Sequence, residues 1–284
     1  MGNVRAVNTA HSLAAFLRAR RGRIKPQEVG IVDVTRRRVP GLRREELATL
    51  AGLSADYYTR LEQGRDYRPS ETVLEALARA LQLDDDATDH LFALGRLASP
   101  AARPRDDAGE HVGPEVQALL DGWSTPAFIH GRHLDVLAAN ASSRALTCVS
   151  EPGTNMLRSM FLLKEEYERY ENLEFTLART VAYFRAAVGS DLDDSYVMDL
   201  IEELSLKSDD FARLWAKHDV LASVSGEDSY SHPAVGVMRL RFQTFPVGGT
   251  DRQTFFATTA APGSRDAELL ARLATSNGRG DPLI

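Results

Sequence analysis

The sequence predicts an all-α five-helix domain followed by an α+β domain with a small antiparallel sheet. Three observations carry that prediction. In residues 11–97 leucines recur at steps of three and four, the spacing that gathers side chains on one helix face. In residues 237–244 Met238, Leu240 and Phe242 alternate with Arg239, Arg241 and Gln243, as in a strand with one buried and one wet face. Between them, residues 99–114 hold three prolines and two glycines without apolar periodicity, the composition of a linker. The expected domains are therefore 1–98 and 115–284.

The elements follow in order. His11–Arg21 carries Leu13, Phe16, Leu17 and Arg20 at helical spacing, and Gly22–Gly41 is irregular, with Pro26, Gly30 and Pro40. Glu45–Ala51 and Ala55–Glu62 form a helical hairpin, with Leu47, Leu50 and Ala51 on one face of its first helix. Gly52 sits where a helix end needs a left-handed backbone, and Ser54 can cap the second helix. Ser70 caps a fourth helix with Val73, Leu74, Leu77 and Leu81 as its stripe; Asp84–Asp86 open a fifth, with Leu91, Leu94 and Leu97 inward. Beyond the linker, Ala127–Ile129 and Leu134–Ala138 read as short strands around the turn Gly131-Arg132. Helical stripes follow at Leu173, Leu177, Val181, Phe184 and Val188, at Met198, Leu200, Ile201 and Leu204, and at Phe211, Leu214 and Trp215. Val237–Thr244 and Gln253–Thr259 pair across Gly248-Gly249, and Ser264 caps a last helix ending near Ala274.

Charge is distributed unevenly. The chain carries −6 overall, yet residues 1–70 hold fourteen basic and seven acidic side chains. That segment is +7 and the remainder −13. A basic end on an acidic body points to a polyanion met at one end. In the hairpin's second helix Tyr58 and Leu61 point inward, while Ser54, Ala55, Asp56, Tyr57, Thr59 and Arg60 form a short, mostly polar outer edge, as on a helix that reads base edges. Arg43, Arg44, Arg60, Arg65 and Arg68 surround that edge and are placed to neutralise phosphates of double-stranded DNA. Arg36–Arg38 read either as a phosphate-contacting arm or as a solvated loop. Glu62 is a poor DNA contact and is expected to pair with an arginine of the first helix, such as Arg20. A helix–Gly–helix hairpin is also an ordinary corner of helical proteins; the basic flanks and its place in a five-helix series favour the DNA reading.

The stretch VPGLRREELATLAGLSADYYTRLEQGRDYRPS resembles the lambda-repressor-like (XRE-type) helix-turn-helix, and more narrowly that of MmyB-like regulators. Leu134–Asn140, Phe211–Val220 and His232–Gly236 are similar to segments of that family's C-terminal domain. The resemblance implies a bacterial transcription regulator whose second half is a PAS-like ligand-binding domain, with fatty acids as the associated ligand class. The family usually has Trp where this chain has Ala139.

A fatty-acid site needs an apolar cavity and one or two polar groups for the carboxylate. The candidate polar ends are Asn140, Arg144, Arg158 and His218; the candidate walls are Phe128, Met156, Phe161, Leu177, Phe184 and Trp215. In the alternative reading these aromatics are core and Asn140 bonds backbone at a strand end. The C-terminal half would then be a ligand-free interaction or dimerisation module. His130 and His133 have metal-like spacing but lack a third ligand, and read as surface histidines.

Other classes lose support. The single cysteine, Cys148, excludes an intramolecular disulfide and a cysteine-rich zinc site. No phosphate-binding glycine loop or Gly-x-Ser-x-Gly elbow occurs, so no catalysis is expected. No stretch is apolar enough to span a membrane, which favours a cytoplasmic, nucleoid-associated protein without membrane contact. No cofactor is expected beyond a fatty acid as effector. Homodimerisation is expected because one short helix reads few base pairs.

Overall fold

The computed structural model describes residues 2–31, 41–65, 69–96, 111–163, 166, 168–189, 194–250 and 253–276. The chain divides into two compact units. One comprises Met1–Arg105, Val188–Glu202 and Trp215–Val220; the other comprises Asp106–Ala187, Glu203–Leu214 and Leu221–Ile284. Two late segments thus group with the first unit, a division that one linker at 99–114 does not anticipate. Most of that linker, with Leu97, Arg68 and Arg36–Arg38, lies outside the described residues.

In the first unit, helices α1 (Gly2–Arg23), α2 (Arg44–Leu50), α3 (Ala55–Glu62), α4 (Glu71–Ala80) and α5 (Asp85–Arg96) form an all-α bundle. A short 3-10 turn, Pro26–Val29, interrupts the stretch expected to be irregular. The apolar stripes meet as expected: Leu13, Phe16, Leu17, Leu47, Leu74, Leu77 and Leu91 are all buried. Leu50 departs from the pattern and stays 41% exposed. Leu47, Ala48 and Ala51 are buried together on one side of α2, whereas Leu50, about 100° from Ala51 and on the far side of Leu47, falls at the rim of that face. Caps define the helix starts. Ser54 Oγ accepts from Tyr57 N–H (3.2 Å), Ser70 Oγ from Val73 N–H (3.3 Å), and Asp84 Oδ1 from Ala87 N–H (2.8 Å).

The second unit is built on an antiparallel sheet of five strands: β1 (Ala127–His130), β2 (Val136–Ala139), β3 (Ser225–His232), β4 (Gly236–Pro246) and β5 (Thr254–Thr259). Their order is β2-β1-β5-β4-β3. The first described strand therefore pairs with the last, Phe128 opposite Phe256. Helix α6 (Pro114–Asp121) precedes the sheet. Helices α7 (Ala141–Leu146), α8 (Met156–Leu162), α9 (Leu173–Val188), α10 (Ser195–Lys207) and α11 (Asp209–Trp215) lie between β2 and β3 in sequence, and α12 (Arg265–Ser276) closes the described chain. Ser264 caps α12 as expected, accepting from Ala267 N–H.

Strand β3 is the element that periodicity did not show. Its sequence SGEDSYSH buries only Tyr230 and His232. Eight residues of backbone pairing with β4 hold it in the sheet, where an apolar alternation is absent. The expected strand at Leu134–Ala138 starts two residues late, because Leu134 has φ +63 and belongs to the turn. In α10, Val197, Leu200 and Leu204 are buried, and Met198 is exposed.

Candidate functional site

The hairpin is held by a buried carboxylate. Glu62, at the end of α3, is fully buried. Its Oε1 accepts from Arg21 Nη2 (2.6 Å) and its Oε2 from Arg44 Nε (2.7 Å). Arg18 lies 3.7 Å from Oε1 and also donates to the Glu62 carbonyl (3.1 Å). The partner of Glu62 is thus Arg21, with Arg18 and Arg44, and not Arg20. Arg18 and Arg21 are three residues apart and share a face of α1, whereas Arg20 is turned about 100° from Arg21. Arg21 also donates to the Leu42 carbonyl (2.6 Å), tying the segment before α2 to α1. Tyr58 lies beside this cluster, its phenol pushed up by burial and by the Glu62 charge.

Between α2 and α3 the chain turns through Gly52 at φ +67, and Leu53 N–H reaches the Ala48 carbonyl (2.8 Å). This is the Schellman closure expected of a glycine after a helix. The turn leaves Ser54, Ala55, Asp56 and Arg60 exposed, with Tyr57 and Thr59 half-buried beside them. Arg60 Nη1 donates to Asp56 Oδ2 (2.6 Å) and its guanidinium lies 5.8 Å from the Tyr57 ring centre. Arg60 is therefore pre-positioned along the outer edge of α3. Arg65 is exposed beyond the helix end, and Arg44 is 44% exposed despite its bond to Glu62. Arg43 precedes α2, its N–H bound by Glu46 (2.7 Å).

The second unit contains a partly open cavity of about 110 Å³, well above the roughly 10–15 Å³ that a water molecule needs on the same measure. The sheet supplies Phe128, Leu240, Phe242 and Phe256; Phe128 and Phe256 stack at 4.9 Å. Met156 and Met160 of α8 add apolar wall, and Leu146 and Val149 close another side. Helix α9 contributes Thr176, Arg179, Thr180 and Tyr183, which share one face at steps of three and four. From β3 come Asp228 and Tyr230.

Two expected wall residues, Phe128 and Met156, line this cavity, and the remaining candidates do not. Leu177 and Phe184 are buried on α9, each turned about 100° around the helix axis from the cavity-lining residue before it, Thr176 and Tyr183. Phe161 is buried edge-on against Phe211 (5.3 Å). Trp215 and His218 lie outside the lining, His218 with φ +54. Arg144 donates to the Ala139 carbonyl. Arg158 forms an ion pair with Glu203 at 2.8 Å. Asn140 is a local clamp: its Oδ1 accepts from Ala127 N–H (3.2 Å) and Ser143 N–H (2.9 Å), and its Nδ2 donates to the Trp123 and Thr125 carbonyls (3.1 and 2.8 Å). A second polar stripe on α9 and the Asp-x-Tyr of β3 carry the cavity's polar side. The first was legible at helical spacing but overshadowed by the apolar stripe beside it.

His130 is also not a surface residue. It is 1% exposed, with Nδ1 2.9 Å from the Gly131 carbonyl and Nε2 3.3 Å from the Tyr183 hydroxyl. The carbonyl accepts, so Nδ1 carries the proton and Nε2 accepts from Tyr183. Burial pushes this imidazole down to about 4. Among the described residues no group of three or more His, Cys, Asp or Glu could hold a metal, and no helix is long and apolar enough to cross a membrane.

A short polar helix edge in one unit and a mostly apolar, partly open cavity in the other define the class: a DNA-binding regulator with a separate ligand-binding domain. Residues 12–91 match the model of a helix-turn-helix domain. Residues 112–273, more than half of the chain, match that of the MmyB-like transcription regulator ligand binding domain, and the protein belongs to the MmyB-like transcription regulators. Both families are regulatory and not catalytic. No curated protein matches the chain.

Proposed function

We propose that the protein is a cytoplasmic, homodimeric transcription regulator whose DNA binding responds to a small amphipathic molecule, fatty-acid-like in having an apolar body and one polar end. In this reading residues 1–98 bind the operator, residues 99–114 link the domains and residues 115–284 hold the effector. The observation that carries the reading is the cavity walled by Phe128, Phe242, Phe256, Met156 and Met160, with polar groups gathered on α9 and β3. Pockets of this make-up, mostly apolar with a few convergent polar groups, are where proteins bind small ligands.

On the DNA side, the proposed contacts are Ser54, Ala55, Asp56, Tyr57, Thr59 and Arg60 to bases, and Arg43, Arg44, Arg65 and Arg68 to phosphates. A dimer supplies two such edges, since one short helix covers only part of a specific site. The ligand shifts the regulator only if it binds two states with different affinity. Mass spectrometry of small molecules extracted from the purified full-length protein tests the effector. Selection of bound DNA from a random pool, with and without the extract, tests the coupling. A bound amphipathic molecule that changes DNA binding is expected. An empty extract together with unaltered selection would return the second domain to an interaction module.

A further inference from the structure

Only two of the described residues lining the cavity carry a formal charge, Arg179 and Asp228, and the two cancel. Arg179 Nη2 lies 3.7 Å from Asp228 Oδ2, longer than a hydrogen bond. The guanidinium instead lies over two aromatic rings, 4.1 Å from the Phe242 ring centre and 5.2 Å from that of Phe175. Asp228 is fixed by other donors: Ser229 N–H at Oδ1 (2.9 Å) and the Thr176 hydroxyl at Oδ2. A carboxylate offers about four acceptor positions and a guanidinium five donors, so both retain capacity toward the cavity. The flanking groups add no net charge. Tyr170 and Tyr230 line the same side as neutral phenols, pushed up by burial and by Glu166. Behind Tyr230 the next charges, Glu166 and Arg169, are again an opposite pair, 3.4 Å apart.

An anionic head brought to Arg179 therefore meets Asp228, and a cationic head brought to Asp228 meets Arg179, where both side chains are mostly buried, 11% and 9% exposed, and water screens either repulsion only weakly. A group that accepts on one side and donates on the other suits both. Building on the ligand-binding reading above, we propose that the ligand's polar end is an uncharged donor–acceptor group, a hydroxyl or an amide, that accepts from Arg179 and donates to Asp228. The carboxylate of a fatty acid is the disfavoured head. Its expected receivers Arg144 and Arg158 are engaged with the Ala139 carbonyl and Glu203.

The test uses full-length protein and four compounds with one ten-carbon chain: decan-1-ol, decanamide, decanoic acid and decylamine. Each is titrated by calorimetry at neutral pH below its aggregation threshold. The alcohol and amide are expected to bind at least about tenfold more tightly than the acid and the amine. Asp228→Asn leaves Arg179 uncompensated and is expected to bring the acid up at least about tenfold relative to the amide. If that variant does not fold, the ranking on the unaltered protein decides alone. Acid binding as tight as or tighter than the amide in the unaltered protein overturns the proposal and leaves the ligand-binding reading standing. Absence of binding by all four overturns both.

Discussion

In the proposed reading, Glu62 serves recognition without touching the DNA. A buried carboxylate is costly unless it is paired and hydrogen-bonded, and three arginines from α1 and α2 meet it. They tie the end of α3 to α1 and α2. Glu62→Ala should destabilise the first unit by about 3 kcal/mol, the low end of the range for breaking a buried pair, because Arg18 and Arg44 are exposed enough to turn to water. Urea unfolding followed by a probe in the helical unit would check this. On the outer edge, Arg60→Ala should weaken operator binding by about 1–3 kcal/mol where Arg60 reads a base. Footprinting of Arg60→Ala together with Thr59→Ala is the check, and an unchanged footprint would remove α3 as the reading helix. The sequence made both residues visible as charges. It did not show which arginine would meet Glu62, because Arg18, Arg20 and Arg21 differ only by helical phase.

At the scale of elements, β1 owes its position to two side chains that looked like surface groups or ligand contacts. Asn140 bonds four backbone groups around the start of β1 and α7, so Asn140→Ala should cost about 2 kcal/mol or more by stranding buried partners. Chemical denaturation read by far-ultraviolet circular dichroism measures it. His130 makes the second unit sensitive to acid. Its folded value of about 4 lies below the ordinary 6.5, so the native state binds the proton more weakly than the unfolded chain. The stability contribution is complete above pH 6.5 and falls away as pH drops toward 4, by about 3 kcal/mol in all. Denaturation midpoints across that interval should slope downward with acid, and His130→Gln should flatten the slope. Strands with one apolar face were legible from alternation, as in Met238, Leu240 and Phe242. Strand β3 was not, since its polar residues are held by pairing with β4 rather than by burial, and Asp228 and Tyr230 went unnoticed with it.

For the whole molecule, the net charge of −6 hides the division that matters, +7 over residues 1–70 against −13 beyond. Operator binding should therefore be strongly salt-dependent despite the acidic total. With about six neutralised phosphates, affinity falls by roughly a thousandfold between about 50 and 200 mM salt, which filter binding or anisotropy titrations would show. The two-part architecture and the apolar stripes were legible from periodicity and composition. The cavity was less so. Which inward residues meet one another and which face empty space depends on how far helices stand off the sheet, and that distance is not written in any single segment. Phe128 and Phe184 look alike in sequence; one lines the cavity and the other is packed core.

The pairing of β1 with β5 sets an order of events during synthesis. The strand at 127–130 waits for the one at 254–259, and non-local pairings of this kind form late. All residues of α1 to α5 leave the ribosome more than a hundred and fifty positions earlier than β5 does. In the proposed reading, a nascent chain thus holds all five helices of the DNA-binding bundle well before it has a chamber for any effector. Until β5 arrives, the young regulator is deaf.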